Sequence, residues 1–166
     1  MIPAASPDAP APVPLLLTRR LGQQAERGPE LRLALTAEER TRLRGLRQSV
    51  CGCPLLLQLP RGEALQPGER LGGDAAEPLV RVEAAPEPLL RVTAASELGL
   101  LQAAYHLGNR HVAIELRGDE LRLPADPVLA HLLEHRGLSV TPMQAPFLPE
   151  PGAYAHGHPQ EHGHGH

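Results

Sequence analysis

The sequence predicts an α+β chain: an N-terminal, mainly β domain over residues 15–86, a ferredoxin-like βαββαβ domain over 87–150, and a disordered segment at each end. Three observations carry this reading. Nineteen prolines and sixteen glycines cut a 166-residue chain into short pieces, which favours strands and brief helices over a long bundle. With no Trp, one Phe and two Tyr, two small cores of Leu, Val and Ala fit better than one large one. The hydrophobic pattern also changes character across Pro86-Glu87-Pro88.

Residues 1–14 alternate Pro with Ala and small polar residues, a composition that cannot bury enough surface to offset the entropy of ordering. From Leu15 onward, LLLTRRL, ELRLALT, the charged EERTRLRGLR, PLLLQLP and PLVRVEAAP have strand character. Thr36 with Glu39 spells a capping box, but Leu43 and Leu46 do not continue a helical face, so at most one helical turn is expected. Cys51 and Cys53 are too close in sequence for an ordinary structural staple. They read as a turn between strands, with soft-metal chelation as the lesser alternative.

Beyond the proline break, LLRVTA reads as a strand leading to Ser96, an N-cap with Glu97 in the first turn. Leu98, Leu101, Ala104 and Tyr105 fall on one helical face, and Gly108 reads as a left-handed cap. In HVAIEL the alternation sets Val112, Ile114 and Leu116 toward a core and His111, Ala113 and Glu115 away from it. Gly118-Asp119 turns the chain into ELRL, and Asp126-Pro127 starts a second helix. Leu129, Leu132 and Leu133 face inward, Gly137 stops this helix, and LSVTPMQ is the last strand. The order β, α, β, β, α, β is that of the split βαβ arrangement.

A net charge of −3 and arginines scattered among acids argue against nucleic acid. MIPAASPDAPAPVP lacks the features of a signal peptide, and no apolar run nears the ~20 residues that span a membrane. A cytoplasmic protein is the expectation. No nucleophile, base and orienting group can be assembled from these residues, so no enzyme is expected.

The histidines are the strongest chemical signal. His156, His158, His162, His164 and His166 crowd the last eleven residues, in AHGHPQEHGHGH over 155–166. Imidazole is a common ligand for borderline divalent ions, and interspersed glycines let a backbone wrap one, so residues 151–166 read as a disordered metal-capturing tail. His131-Leu132-Leu133-Glu134-His135 spells H-x-x-E-H, but a helix of about three turns with no second metal-ligand helix after it argues against a protease. His131 and His135 stay as an auxiliary metal pair one helical turn apart. His111, at the join of helix and strand, is on local context a hydrogen-bonding surface residue. Spacing does not name the metal, since copper binds imidazoles more tightly than nickel and zinc uses the same ligands.

The stretches LTAEERTRLRG, LPRGEALQPGERL, VRVEAAPEPLLRV, AAYHLGNRHVAIEL and APFLPEPGAY, followed by a histidine-rich tail, change that reading of His111. In this order, over residues 31–154, the sequence resembles the UreE family of urease accessory proteins, which are nickel metallochaperones. The resemblance implies an N-terminal domain of peptide-binding type, a ferredoxin-like metal-binding domain, and a homodimer in which His111, the histidine of GNRH, meets its mate on the two-fold axis. It also implies Ni(II) as transported ion, with Zn(II) or Cu(II) able to take the same ligands. Delivery would go to the urease apoprotein through a UreG-type GTPase and the other accessory proteins, with passive nickel storage as the alternative. His106 would then be structural or a support to the site. Some family members carry extra histidines before the second helix, where this sequence has Pro124, Ala125 and Pro127. Auxiliary binding would therefore fall to the tail, or less readily to His131 and His135. The family's Asp-Gly turn in the N-terminal domain is here Val50-Cys51-Gly52-Cys53.

Overall fold

The computed structural model describes residues 12–23, 29–74 and 78–151. Described residues through Ala85 pack as one compact unit and those from Pro86 as another.

The first unit holds β1 (Leu15–Leu17), β2 (Arg19–Gly22), β3 (Glu30–Leu35), α1 (Ala37–Thr41), β4 (Arg44–Gln48), β5 (Pro54–Gln58), β6 (Arg70–Gly72) and β7 (Leu79–Ala84). They form two sheets, ordered β1-β5-β4 and β2-β6-β7-β3. Period-two alternation buries Leu33 and Leu35, Leu55 and Leu57, and Val80 and Val82 in one core with Leu17, Leu59, Leu65 and Leu71.

Three expectations need correction. LLLTRRL is two strands in different sheets, because Thr18 breaks away after buried Leu17 and donates its N–H to the Gly72 carbonyl at 2.9 Å. Arg20 then turns to Glu69 in a two-pronged ion pair, with nitrogen–oxygen distances of 2.5 and 2.9 Å. The charged stretch EERTRLRGLR is α1 followed by β4. Strand β6 went unseen because three residues beside glycines offer no alternation, yet it is fully buried inside its sheet. The capping box is present: the Thr36 hydroxyl accepts from the Glu39 N–H, and the Glu39 carboxylate accepts from the Thr36 N–H. Helix α1 accordingly lasts about one turn.

The second unit runs β8 (Pro86–Thr93), α2 (Glu97–Gly108), β9 (Glu115–Leu116), β10 (Leu121–Pro124), α3 (Pro127–His135) and β11 (Ser139–Pro146). Its sheet is ordered β11-β8-β10-β9, with every pairing antiparallel. Leu90 lies opposite Leu123 and Val92 opposite Leu121, so all four share one sheet face. Ala103 and Leu107 of α2 and Leu133 of α3 pack on that face. The proline break is in fact the start of β8, paired with β11 from Pro86 opposite Pro146. Ala125 donates to the Pro88 carbonyl, so the missing Pro88 N–H also faces the side where β10 is ending. Proline there forgoes the return bond to Ala125, one residue past the end of β10. No helix among the described residues is long and apolar enough to cross a membrane.

The other sheet face carries an ionic cluster around buried Glu120. Its carboxylate accepts from Arg91 and, at 2.6 Å, from Arg122, which lies opposite Arg91 in the ladder. Burial pushes this carboxyl up, but the hydrogen bonds and charges of Arg91 and Arg122 outweigh it and hold the group below its ordinary range. A depressed folded value gives stability that is present above the unfolded value near ~4.3 and is lost as pH falls through the folded one. Glu120→Gln is expected to cost about 1–3 kcal/mol at neutral pH. Thermal melts should show parent and variant converging below about pH 4, and a gap independent of pH would contradict this assignment.

Candidate metal centre

Helix α2 starts at Ser96, whose hydroxyl accepts from the Gly99 N–H at 3.2 Å. Its inward face is Leu100, Ala103, Ala104 and Leu107. Leu98, Leu101 and Tyr105, expected to face the core, are instead 62%, 68% and 68% exposed. The reason is that α2 is apolar on more than one side, so the sequence offered two candidate faces and the sheet buries the one containing Ala103 and Leu107. An exposed stripe at i, i+3 and i+7 remains. His106 is half-buried, its ring edge-on to Tyr105 with centroids 5.6 Å apart.

The end of α2 corrects a second expectation. Gly108 is the last helical residue and does not have positive φ; the left-handed residue is His111, at φ 57°. The His111 N–H donates to the Gly108 carbonyl at 2.9 Å and the Val112 N–H to the Leu107 carbonyl at 3.1 Å. This pair of bonds is a Schellman closure, with Val112 and Leu107 both in the core cluster, as that closure favours. Helix α3 closes the same way: Gly137 donates to Glu134, Leu138 donates to Leu133, and the left-handed residue is Gly137, φ 80°. Two helices in one unit thus meet one geometric demand with different residues. Glycine occupies the position without strain, whereas a residue with a Cβ costs roughly 1–2 kcal/mol there. His111 is the only described non-glycine residue with positive φ.

The strand expected to begin at His111 is shorter than the alternation suggested. Strand β9 is Glu115–Leu116 alone; Val112 and Ile114 pack against the core, but Leu116 is 48% exposed and Glu115 is buried. Glu115 stands opposite Arg122, on the sheet face away from the core as the alternation predicts, and is buried there with its carboxylate accepting from Arg117 at 2.7 Å and from the Leu148 N–H at 3.0 Å. His111 is exposed on the turn.

The chain after β11 returns to this turn. Phe147 is buried, and the Glu150 N–H donates to the Ile114 carbonyl at 2.8 Å, three residues from His111. Three residues span at most roughly 11 Å and six at most roughly 21 Å. His156, six residues past Glu150, thus has the contour length to reach His111. His156, His158, His162, His164 and His166 lie outside the described residues.

His131 and His135 are exposed on α3, their rings stacked with centroids 6.5 Å apart and planes inclined at 24°. They border a surface cavity of about 410 Å³ together with Val128, Leu132 and Arg136. No cluster of three or more His, Cys, Asp or Glu able to hold a metal occurs among the described residues. Each candidate histidine group is therefore incomplete within the described part of one chain. The exposed α2 stripe and the Glu150 anchor were missed from sequence; leucines on two faces of α2 were the available signal for the first.

Residues 17–85 match the N-terminal domain and residues 87–166 the C-terminal domain of the UreE urease accessory protein. Among similar proteins, the urease accessory protein UreE of Parasynechococcus marenigrum is 54% identical over 149 residues, covering 90% of this chain and 97% of that one. That of Thermosynechococcus vestitus is 53% identical over 142 residues, covering 86% and 98%. That of Ralstonia nicotianae is 47% identical over 138 residues, covering 83% of this chain and 63% of its own. Matches of this extent, over both compact units, place the chain in the UreE family of urease accessory proteins.

Proposed function

We propose that two copies of this chain meet through the α2 stripe and hold one Ni(II) ion between their His111 rings, for delivery to the urease apoprotein during assembly. The observation that carries this reading is His111 itself: a strained, exposed imidazole at the end of a helix whose outer face is an uncovered row of Leu98, Leu101 and Tyr105. Strain at a position where glycine suffices is retained when the side chain does something, and one imidazole is a poor metal site. A two-fold axis supplies the second without a second motif. An apolar row left exposed on a helix is ordinarily a contact surface, which supports the same axis.

In this reading the second unit is the ferredoxin-like metal-binding domain, the described strand order β11-β8-β10-β9 being consistent with it. Tail histidines reach the shared ion from Glu150 and fill its open positions, giving an ion held by several exchangeable ligands. His131 and His135 form an auxiliary pair, and Zn(II) or Cu(II) competes for the same imidazoles. The N-terminal unit is of peptide-binding type and engages the assembly machinery, in which a UreG-type GTPase acts with the other accessory proteins in the cytoplasm. The protein moves an ion and catalyses no reaction.

Activation of urease apoprotein separates delivery from storage. With the other accessory proteins present and a competing chelator in excess, the nickel-loaded parent is expected to activate urease, and His111→Ala, which keeps its whole tail, to do so more than about tenfold more slowly. Equal activation by both would make the tail a passive nickel store and His111 irrelevant to transfer.

A further inference from the structure

The hairpin joining β4 to β5 brings two thiols together. Cys51 Sγ and Cys53 Sγ are 3.5 Å apart, both residues exposed and both thiols free. The loop holds them there. Its first residue, Ser49, is buried and donates its N–H to the Cys53 carbonyl at 2.9 Å, while its carbonyl accepts from Gly52 at 2.9 Å and its hydroxyl from the Cys53 N–H at 2.9 Å. Val50 is tied to β3 through the Arg32 carbonyl at 2.8 Å. Gly52, at φ 90°, occupies the left-handed step that lets the flanking cysteines point the same way.

We propose that Cys51 and Cys53 form a second metal site, a two-thiolate clamp for a thiophilic, tetrahedral d10 cation such as Zn(II) or Cd(II), chemically distinct from the imidazole site. Two thiolates on a tetrahedral ion with metal–sulfur bonds near ~2.3 Å stand about 3.8 Å apart, whereas a linear ion would set them about 4.6 Å apart. The observed 3.5 Å matches the tetrahedral bite within a few tenths of an ångström, so the loop need not move to take the ion. The Ser49 hydroxyl lies 3.2 Å from Cys51 Sγ and helps to hold that thiol beside its partner.

The same loop argues against nickel here. Square-planar Ni(II) would wrap this tripeptide through both sulfurs and the deprotonated Gly52 and Cys53 amides. Both amides already donate to Ser49. No third His, Cys, Asp or Glu completes a cluster among the described residues, so two coordination positions stay open, as an exchangeable site requires.

Cadmium(II) is a suitable probe, being a soft d10 ion whose ultraviolet charge-transfer band reports thiolate ligands and not imidazole. The reduced full-length chain, titrated with Cd(II), is expected to develop this band to saturation at one ion per chain. Cys51→Ser and Cys53→Ser should each weaken the binding that the band reports about 100-fold, through loss of the chelate. Alkylation of the parent thiols should abolish the band, and the double serine variant should keep the parent's nickel capacity. Absence of the band in the parent, or its persistence in the double variant, would overturn the proposal. So would a square-planar nickel spectrum that depends on both cysteines, since the clamp would then serve nickel.

Discussion

A His111→Gly variant is expected to be more stable than the parent and to have lost the shared nickel site. The left-handed position at the end of α2 costs a residue with a Cβ roughly 1–2 kcal/mol, while glycine's greater freedom in the unfolded chain takes back roughly 0.5–1 kcal/mol. The net gain is on the order of 1 kcal/mol, a rise in melting temperature of about 4–8 °C for a unit of this size. Gly137, which closes α3 with the same pair of hydrogen bonds, shows that glycine fits the geometry. His111→Ala keeps the Cβ and should lose the ion without gaining stability. Melting must be followed in metal-free buffer, because a bound ion would stabilise the parent alone. A glycine variant that melts below the parent would mean that the imidazole contributes to the fold, and the strain argument would fail.

Leu101→Asp is expected to dissociate the dimer and to remove the shared ion although His111 is untouched. Leu101 is central in the exposed stripe between Leu98 and Tyr105. A carboxylate there would be desolvated without a partner in the proposed interface, and truncation of central apolar anchors alone typically costs 2 kcal/mol or more, about 30-fold in dissociation constant. Val128→Asp is the matched control, since Val128 is 72% exposed but lies on α3, away from the stripe. Sedimentation velocity over a concentration series reads the difference. A Leu101→Asp protein that stays as dimeric as the control would remove α2 from the interface.

Much of the second unit was legible from spacing alone, because caps are local chemistry. Ser96, Asp126 with Pro127, and Gly137 each mark a helix end in the residues themselves, and the structure uses each as read. The end of α2 misled for an equally local reason. Gly108 was the residue whose type suits positive φ, whereas the hydrogen bonds from His111 and Val112 set the left-handed step three residues later. Which face of α2 is buried could not be read at all, since apolar side chains lie on both and only the sheet decides. Glu115 keeps the face that the alternation assigns it, opposite Arg122, but its burial there was not legible, because one of the two groups that satisfy it, the Leu148 N–H, lies 33 residues away. In the first unit, β6 needed its neighbours β2 and β7 to exist as a strand. The histidine tail and GNRH stand out in any reading, but the strain at His111 appears only in the backbone.

The central claim is that one nickel ion is shared by two chains through His111, and counting ions on a chain ending at Tyr154 tests it most directly. Without residues 155–166 the tail histidines cannot contribute, so equilibrium dialysis at pH 8 reports only the folded units. With His131 and His135 also replaced by alanine so that the auxiliary pair cannot bind, the expected result is one Ni(II) per dimer, held more weakly than in the full chain, and none when His111→Ala is added. One ion per dimer remaining after that substitution, or a full ion on each chain of the truncated parent that is indifferent to dimer dissociation, would contradict the shared site.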